Sequence, residues 1–163
     1  MTKVLWTDGS ADPNPGPGGF AVIENGEPIR LGHAKTTTNI QMEGAALMSA
    51  IAYAGDEGCE IYTDSQFWVN VLTKWAVGWE ARNWTKKSGP IKNLEMVKKL
   101  WWLYNNYPVM LNFTYGHVGT EMNEVADEWA KNARQGKTVE GVKNPELKIT
   151  TSGVITLVEK GQK

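Results

Sequence analysis

The sequence predicts an α/β fold, a mixed sheet begun as an antiparallel meander and completed by parallel strands, with helices on both faces. Three observations predict it. Short β-prone runs joined by turn signals occupy the chain as far as Lys35. Beyond that point strand-like and helix-like runs alternate, as parallel strands with helical crossovers require. A length of 163 residues suits a single domain, large enough to bury a core without disulfides or a structural metal.

Val4 to Thr7 opens the sheet. The stretch Asp12-Pro13-Asn14-Pro15-Gly16-Pro17-Gly18-Gly19 is expected to be irregular, because proline and glycine disfavour both a regular helix and a central strand. Phe20 to Glu24 resumes strand character, Asn25-Gly26 signals a tight hairpin, and Pro28 to Lys35 returns. Thr36-Thr37-Thr38-Asn39 offers capping side chains ahead of an alanine-rich helix, Glu43 to Ala54, with Glu43 in its first turn. Cys59 to Thr63 is a strand, Ser65 caps a helix to about Ala76, and helical sequence resumes from Gly78 to Lys87. Leu94, Val97, Leu100, Trp101 and Tyr104 recur at helical spacing between Asn93 and Asn105. Met110 to Tyr115 is a further strand, and Thr120 caps a helix to Arg134 with Val125, Trp129, Ala130 and Ala133 inward. Past Gln135 only Val154 to Val158 has strand character, as one strand added at an edge. Gly136-Lys137-Thr138 is not a phosphate-binding loop, since Lys131 stands where its first glycine belongs.

Apolar residues make up 41% and charged residues 21%, which excludes collagenous, disordered and membrane classes. Net charge is −1, so bulk charge argues for no particular partner. Its distribution is uneven: Lys74, Arg82, Lys86, Lys87, Lys92, Lys98 and Lys99 face only Glu80 and Glu95, a local excess of five. Six of the eight tryptophans (Trp68, Trp75, Trp79, Trp84, Trp101, Trp102) fall between positions 68 and 102, where helix packing accounts for most of them. Cys59, the single cysteine, is read as a buried thiol, and no apolar run is long enough to cross a bilayer. With no cleavable signal in view, a cytoplasmic location is expected.

One local pattern occurs twice. Trp6-Thr7-Asp8-Gly9-Ser10 and Tyr62-Thr63-Asp64-Ser65-Gln66 each end an apolar strand with an aromatic, Thr and Asp. Either aspartate alone is equally well read as a turn or helix cap. Together on neighbouring strands they would repel, and a divalent cation between them would keep both ionised. Glu43 and Asp127 say little singly: one suits a helix start, the other a surface. His33 has no partner motif and is read as structural.

The order and wording of the motifs resemble type 1 ribonuclease H, from about Lys3 to Arg134. The resemblance is carried by Thr7-Asp8-Gly9-Ser10 with Asn14-Pro15-Gly16-Pro17-Gly18-Gly19, by Thr37-Thr38-Asn39 shortly before Met42-Glu43, and by Thr63-Asp64-Ser65-Gln66. Ile91-Lys92-Asn93, Gly116-His117-Val118-Gly119, Asn123-Glu124 and Asp127-Glu128-Trp129-Ala130 complete it. The resemblance implies a ribonuclease H-like fold with a five-stranded mixed sheet. It implies a catalytic domain over 1–135, followed by an extension, 136–163, of unknown role.

By position, the resemblance makes Asp8, Glu43, Asp64 and Asp127 the metal-binding carboxylates and His117 a mobile loop histidine that moves a proton or aids product release. It implies two Mg2+ ions with substrate bound, replaceable by Mn2+. Asp8 would bridge them, with Glu43 and Asp64 on the leaving-group side and Asp127 on the nucleophile side. Oxygen ligands suit such hard cations. Asn14, Asn39, Gln66 and Asn123 resemble groove residues, and Thr38 a residue holding a DNA phosphate. The stretch Lys74 to Lys99 resembles a basic handle, with Trp75, Trp79, Arg82, Trp84, Lys86 and Lys87 as its substrate contacts. Glu80, Ala81 and Ile40 depart from the family pattern, which implies a weaker grip and one lost contact. The expected activity is endonucleolytic cleavage of the RNA strand of RNA–DNA hybrids, leaving 5′-phosphate and 3′-hydroxyl ends, by a monomer without membrane partners. Two alternatives are another nuclease on the same fold and a catalytically silent hybrid-binding module.

Overall fold

A computed structural model describes residues 2–115 and 121–159. In chain order the elements are β1 (Lys3–Ala11), β2 (Gly16–Glu24), β3 (Glu27–Thr37), α1 (Asn39–Ala54), β4 (Cys59–Thr63) and α2 (Gln66–Asn70). They continue with α3 (Ala76–Ala81), α4 (Leu94–Asn106), β5 (Val109–Phe113), α5 (Glu121–Arg134), β6 (Glu146–Ile149) and β7 (Ile155–Leu157). A π-helical turn, Val71–Trp75, joins α2 to α3.

The strands form one sheet in the order β5-β4-β1-β2-β3-β6-β7. The meander β1-β2-β3 is antiparallel, β4 and β5 run parallel to β1, and helices flank both faces, as the alternation of elements predicts. The β2–β3 hairpin turns at Asn25 and Gly26, both at positive φ (53° and 80°). The sheet has seven strands where five, with one more added at an edge, were expected. The extra pair comes from the C-terminal stretch: β6 pairs parallel with β3, and β7 returns antiparallel at the edge. Strand β7 falls within the expected Val154–Val158. Strand β6 was missed because four residues, Glu146-Leu147-Lys148-Ile149, give too brief an alternation to stand out.

Three other expectations are corrected. Gly16 to Gly19 is strand rather than loop, paired with β1 through Ser10↔Gly19 and Ala11↔Gly18. Pro17 is tolerated there because the β2–β3 register slips between Gly16 and Gly18, so no ladder hydrogen bond is asked of it. Helix α1 starts at Asn39, capped by Thr38, whose hydroxyl accepts from the Gln41 amide at 3.1 Å. Glu43 is therefore the fifth helical residue, beyond the reach of a simple first-turn role. Helical structure ends at Ala81 rather than Lys87, because Asn83 and Trp84 both take positive φ (56° and 62°) and turn the chain away.

Side-chain alternation divides the core. Leu5, Phe20, Val22 and Ile61 pack with α1, α2 and α4 in one large cluster that includes Trp68, whose indole N–H reaches the Ile40 carbonyl at 2.8 Å. On the opposite face Ala21, Ile23 and Leu31 meet Ala126 and Ala133 of α5, with Trp6, Val125 and Trp129 half-buried around them. Cys59 is buried, and burial pushes its thiol up to about 11, leaving it inert at neutral pH.

Candidate active site

Parallel pairing of β1 with β4 matches Trp6 to Tyr62, and their rings stack at 4.4 Å. Two residues beyond that last matched pair come Asp8 and Asp64, close enough for the Asp64 charge to act on Asp8. Only one of the two repeated patterns closes its strand as expected: β4 ends at Thr63, just before Asp64, whereas β1 runs on to Ala11 because its far side stays paired with β2, leaving Asp8 inside the strand. Asp8 is only 6% exposed. Burial first, then the charges of Asp64 and Asp127 and a hydrogen bond with Asp127, hold its carboxyl well above the usual carboxylate range, opposed only by the Gly9 amide. Asp127, delivered by α5, also accepts from Lys131 one turn on at 3.0 Å.

Glu43 arrives from the opposite side of the sheet. Its approach depends on Gly9: a Cβ there would lie 2.3 Å from the Met42 carbonyl carbon and 2.5 Å from the Glu43 nitrogen. Glycine after Asp8 lets α1 lie directly on β1, so the Glu43 backbone comes within one residue of Asp8. Burial pushes Glu43 up to about 7; a hydrogen bond from Ser65 lowers it and the Asp64 charge raises it. Ser65 is a site residue that sequence reading took only for a cap. Its oxygen does accept from the Trp68 amide (3.3 Å), while its hydroxyl serves Glu43. Serine in a capping position carries no sequence signal for that second task.

The four carboxylates therefore meet in pairs: Asp8 with Asp64, Asp8 with Asp127, and Glu43 with Asp64. Among the described residues no three acidic, histidine or cysteine side chains converge on one point as a closed metal cage. His117 lies outside the described residues. A cavity of about 680 Å³ between α1, α4 and the C-terminal strands includes none of these carboxylates and is lined mainly by apolar side chains such as Met48, Leu103 and Ile155.

Around this centre the structure brings several of the predicted contacts together. Asn39 Oδ1 accepts from the Ala11 amide (2.7 Å), and the Asn39 amide donates to Asn14 Oδ1 (3.0 Å), tying the proline loop to the start of α1 beside Thr38. Gln66 is exposed at the start of α2, two residues after Asp64. Asn123 differs from these: it is 3% exposed, on α5. Ile40, which departs from the family pattern, packs against the large core. In the basic stretch, Phe67, Trp75 and Trp79 form a file of rings 6.2 and 6.0 Å apart, and the Lys86 ammonium lies 5.9 Å from the Trp79 ring. Trp75, Arg82 and Lys87 are exposed, whereas Trp79, Trp84 and Lys86 are half-buried.

Comparison with known proteins decides what family this arrangement belongs to. The family model RNase H matches residues 1–135. The chain belongs to the ribonuclease H family. It is 38% identical to a ribonuclease H of Granulibacter bethesdensis, over 80% of this chain and 90% of that protein. It is 39% identical to one of Agrobacterium fabrum, over 78% and 90%. A Methylorubrum extorquens ribonuclease H is 36% identical over 85% of this chain, which spans 64% of that longer relative. Two solved structures share the fold. LC9-RNase H1, described as a type 1 RNase H with the type 2 active-site motif, superposes with a TM-score of 0.69 at 24% identity, covering 99% of this chain and 79% of that one. The N-terminal RNase H domain of a Mycobacterium tuberculosis protein gives 0.57 at 19% identity, covering 81% and 98%. Membership makes the chain an enzyme of an endoribonuclease family, and its seven-stranded mixed sheet flanked by helices is a ribonuclease H fold.

Proposed function

We propose that this ribonuclease H hydrolyses the RNA strand of RNA–DNA hybrids with divalent metal ions held by Asp8, Glu43, Asp64 and Asp127, leaving 5′-phosphate and 3′-hydroxyl ends. The observation that carries the reading is a buried Asp8 pressed between Asp64 and Asp127, with a half-buried Glu43 near the Asp64 charge. Such a group is costly: like charges in a low-dielectric pocket drive protons on and pKa values up. The donor set fits hard cations, because each of the four groups is a carboxylate. Mg2+ is the expected ion, with Mn2+ able to replace it. Bound there, two ions would activate water and offset charge on the leaving 3′ oxygen.

The chain's own residues supply the rest. Asp8 would be shared between the ions, Glu43 and Asp64 would serve the leaving-group side, and Asp127 the nucleophile side. His117, whose unperturbed type titrates near neutrality, would move the proton or assist product release. Asn14, Asn39 and Gln66 would sense a 2′-hydroxyl with their polar side chains, and Thr38 would hold a DNA phosphate. Trp75, Trp79, Arg82, Trp84, Lys86 and Lys87 would grip the other strand without reading sequence. Asn123, being buried, would act by supporting α5 rather than by touching nucleic acid.

Residues 1–135 would form the catalytic domain and 136–163 an extension. Among the described residues no helix is long and apolar enough to cross a membrane. We assign the enzyme to the cytoplasm as a monomer. The deciding experiment incubates matched hybrid, duplex RNA and duplex DNA with the protein, with Mg2+, Mn2+ or chelator. Cleavage confined to hybrid and abolished by chelator is expected. Preference for duplex DNA would point to another nuclease on this fold, and binding without cleavage in either metal to a silent module.

A further inference from the structure

The stretch beyond residue 135 reaches back toward the substrate side of the molecule. Gln41, 6% exposed, uses its whole side-chain amide: the oxygen accepts from the Thr37 hydroxyl at 3.0 Å, and the nitrogen donates to Asn93 Oδ1 at 2.9 Å and to the Thr150 carbonyl at 3.1 Å. Asn93 stands at the cap position of α4 in a left-handed conformation and gives that helix no side-chain cap. The Ser152 carbonyl takes over the task, accepting from the Glu95 and Met96 amides at 3.0 and 3.4 Å. A tight turn presents these carbonyls, closed by Gly153 N–H to the Thr150 carbonyl (2.9 Å) and by Val154 N–H to the Thr150 hydroxyl (3.0 Å). The turn fits because of Gly153, at φ +91°, where a Cβ would come 2.6 Å from the Met96 Cβ.

We infer that the Thr150–Gly153 turn is a substrate-positioning element, acting through Gln41, which is a positioning residue and not a catalytic one. The inference rests on the hybrid-cleaving reading above. Gln41 lies one turn along α1 from Thr38, and its own amide donates to the Thr38 hydroxyl. Asn39, between them, holds the proline loop. On the other side, Asn93 ends the stretch that carries Arg82, Lys86, Lys87 and Lys92. The Gln41 amide therefore joins the two proposed banks of the nucleic-acid groove, and the C-terminal turn holds that joint from behind. Groups held in place before binding lose less freedom on binding, so the turn acts on affinity rather than on the chemical step.

The test uses the full-length chain with Gln41→Ala, Gly153→Ala and the double variant, each assayed well below its own melting temperature. KM for hybrid is expected to rise about tenfold in either single variant with kcat within about twofold of wild type, the pattern of lost uniform binding. The double variant is expected to be no worse than the weaker single one, because both break one linkage. A tail that merely braced the fold would lower the melting temperature and leave KM unchanged in both variants, and that result overturns the inference. Binding of a fluorescent hybrid in chelator is measured alongside. Should wild type bind hybrid without cutting it, the enzymatic reading fails by itself. The Kd then decides the positioning role: about a tenfold rise in the variants sustains it, and an unchanged Kd overturns it.

Discussion

The two faces of the sheet are built to opposite ends. Among the described residues, the core cluster toward α1 and α4 holds 23 buried apolar residues, while the cluster toward α5 holds five. The large cluster is dense, with Leu5, Leu47, Ile51, Ile61, Trp68 and Leu100 almost wholly excluded from water. The small one shares its face with Asp8 and Asp64, and Asp127 comes from its helix. Stability is concentrated on one side, and that surplus lets the other hold carboxylates that a fold selected for stability alone would expel. Glu43 crosses the divide: it rides a helix anchored in the large core and seated on Gly9, yet its carboxyl feels the Asp64 charge.

Replacing a carboxylate on the sparse face should break the comparison most sharply. Asp8→Asn or Asp64→Asn is expected to lower hybrid cleavage by at least about a thousandfold, roughly 4 kcal/mol of transition-state stabilisation. The metal-free protein should be no less stable, since a repelling charge is removed. Activity assays and urea melts in chelator check both halves, and near-wild-type cleavage would remove that residue from the site.

The converse change, Leu47→Ala on the dense face, should cost about 3 kcal/mol of stability through lost burial and a residual cavity. The cleavage rate of the remaining folded protein should hardly change. A variant as stable as wild type in urea would mean the large cluster is not where stability resides.

A pH series separates the faces without mutation. Glu43 rises from an ordinary value of 4.5 to about 7 on folding, and Asp8 moves the same way. Between those pH values the unfolded chain has released a proton that Glu43 in the folded chain still holds. The Glu43 contribution therefore falls as pH rises from about 4.5 to 7 and then levels, and Asp8 adds to the fall. Glu43 alone accounts for at most about 3 kcal/mol of that fall, by linkage. The slope should appear in chelator, shrink in Glu43→Gln and diminish when Mg2+ saturates the site. A flat profile in chelator would contradict the repulsion on which the metal reading depends.

The smallest effect belongs to the basic stretch, outside both faces. Lys86→Ala and Lys87→Ala should each weaken hybrid binding and reduce the log–log salt slope by about one. Lys86, stacked near Trp79, should also lose a little packing. An unchanged slope would detach this stretch from the nucleic-acid backbone.

Much of this was legible in the residues. The meander, the Asn25-Gly26 turn and the alternation of strand and helix each followed from local patterns that tertiary contacts do not override. The repeated aromatic-Thr-Asp pattern announced Asp8 and Asp64 as a pair, because aspartate is disfavoured in strands and demands a reason there, although Asp8 proved to lie inside β1 rather than at its end. Glu43 and Asp127 were different. Neither has a distinctive local setting, and only the wording of whole motifs singled them out. Ser65, Gln41 and strand β6 gave less still: a cap, a polar helix residue and four alternating residues look alike whether or not something distant meets them.

The sequence by itself determined where most strands and helices form, and that Asp8 and Asp64 occupy matching places on two apolar β-prone runs, because dihedral preference and hydrophobic alternation act over a few residues. Only the tertiary structure decided that Gly9 admits α1 against β1, that Asp127 reaches Asp8, and that Thr150 closes on Gln41. Those are distances between parts of the chain far apart in order, fixed by which faces pack together and not by any residue's neighbours.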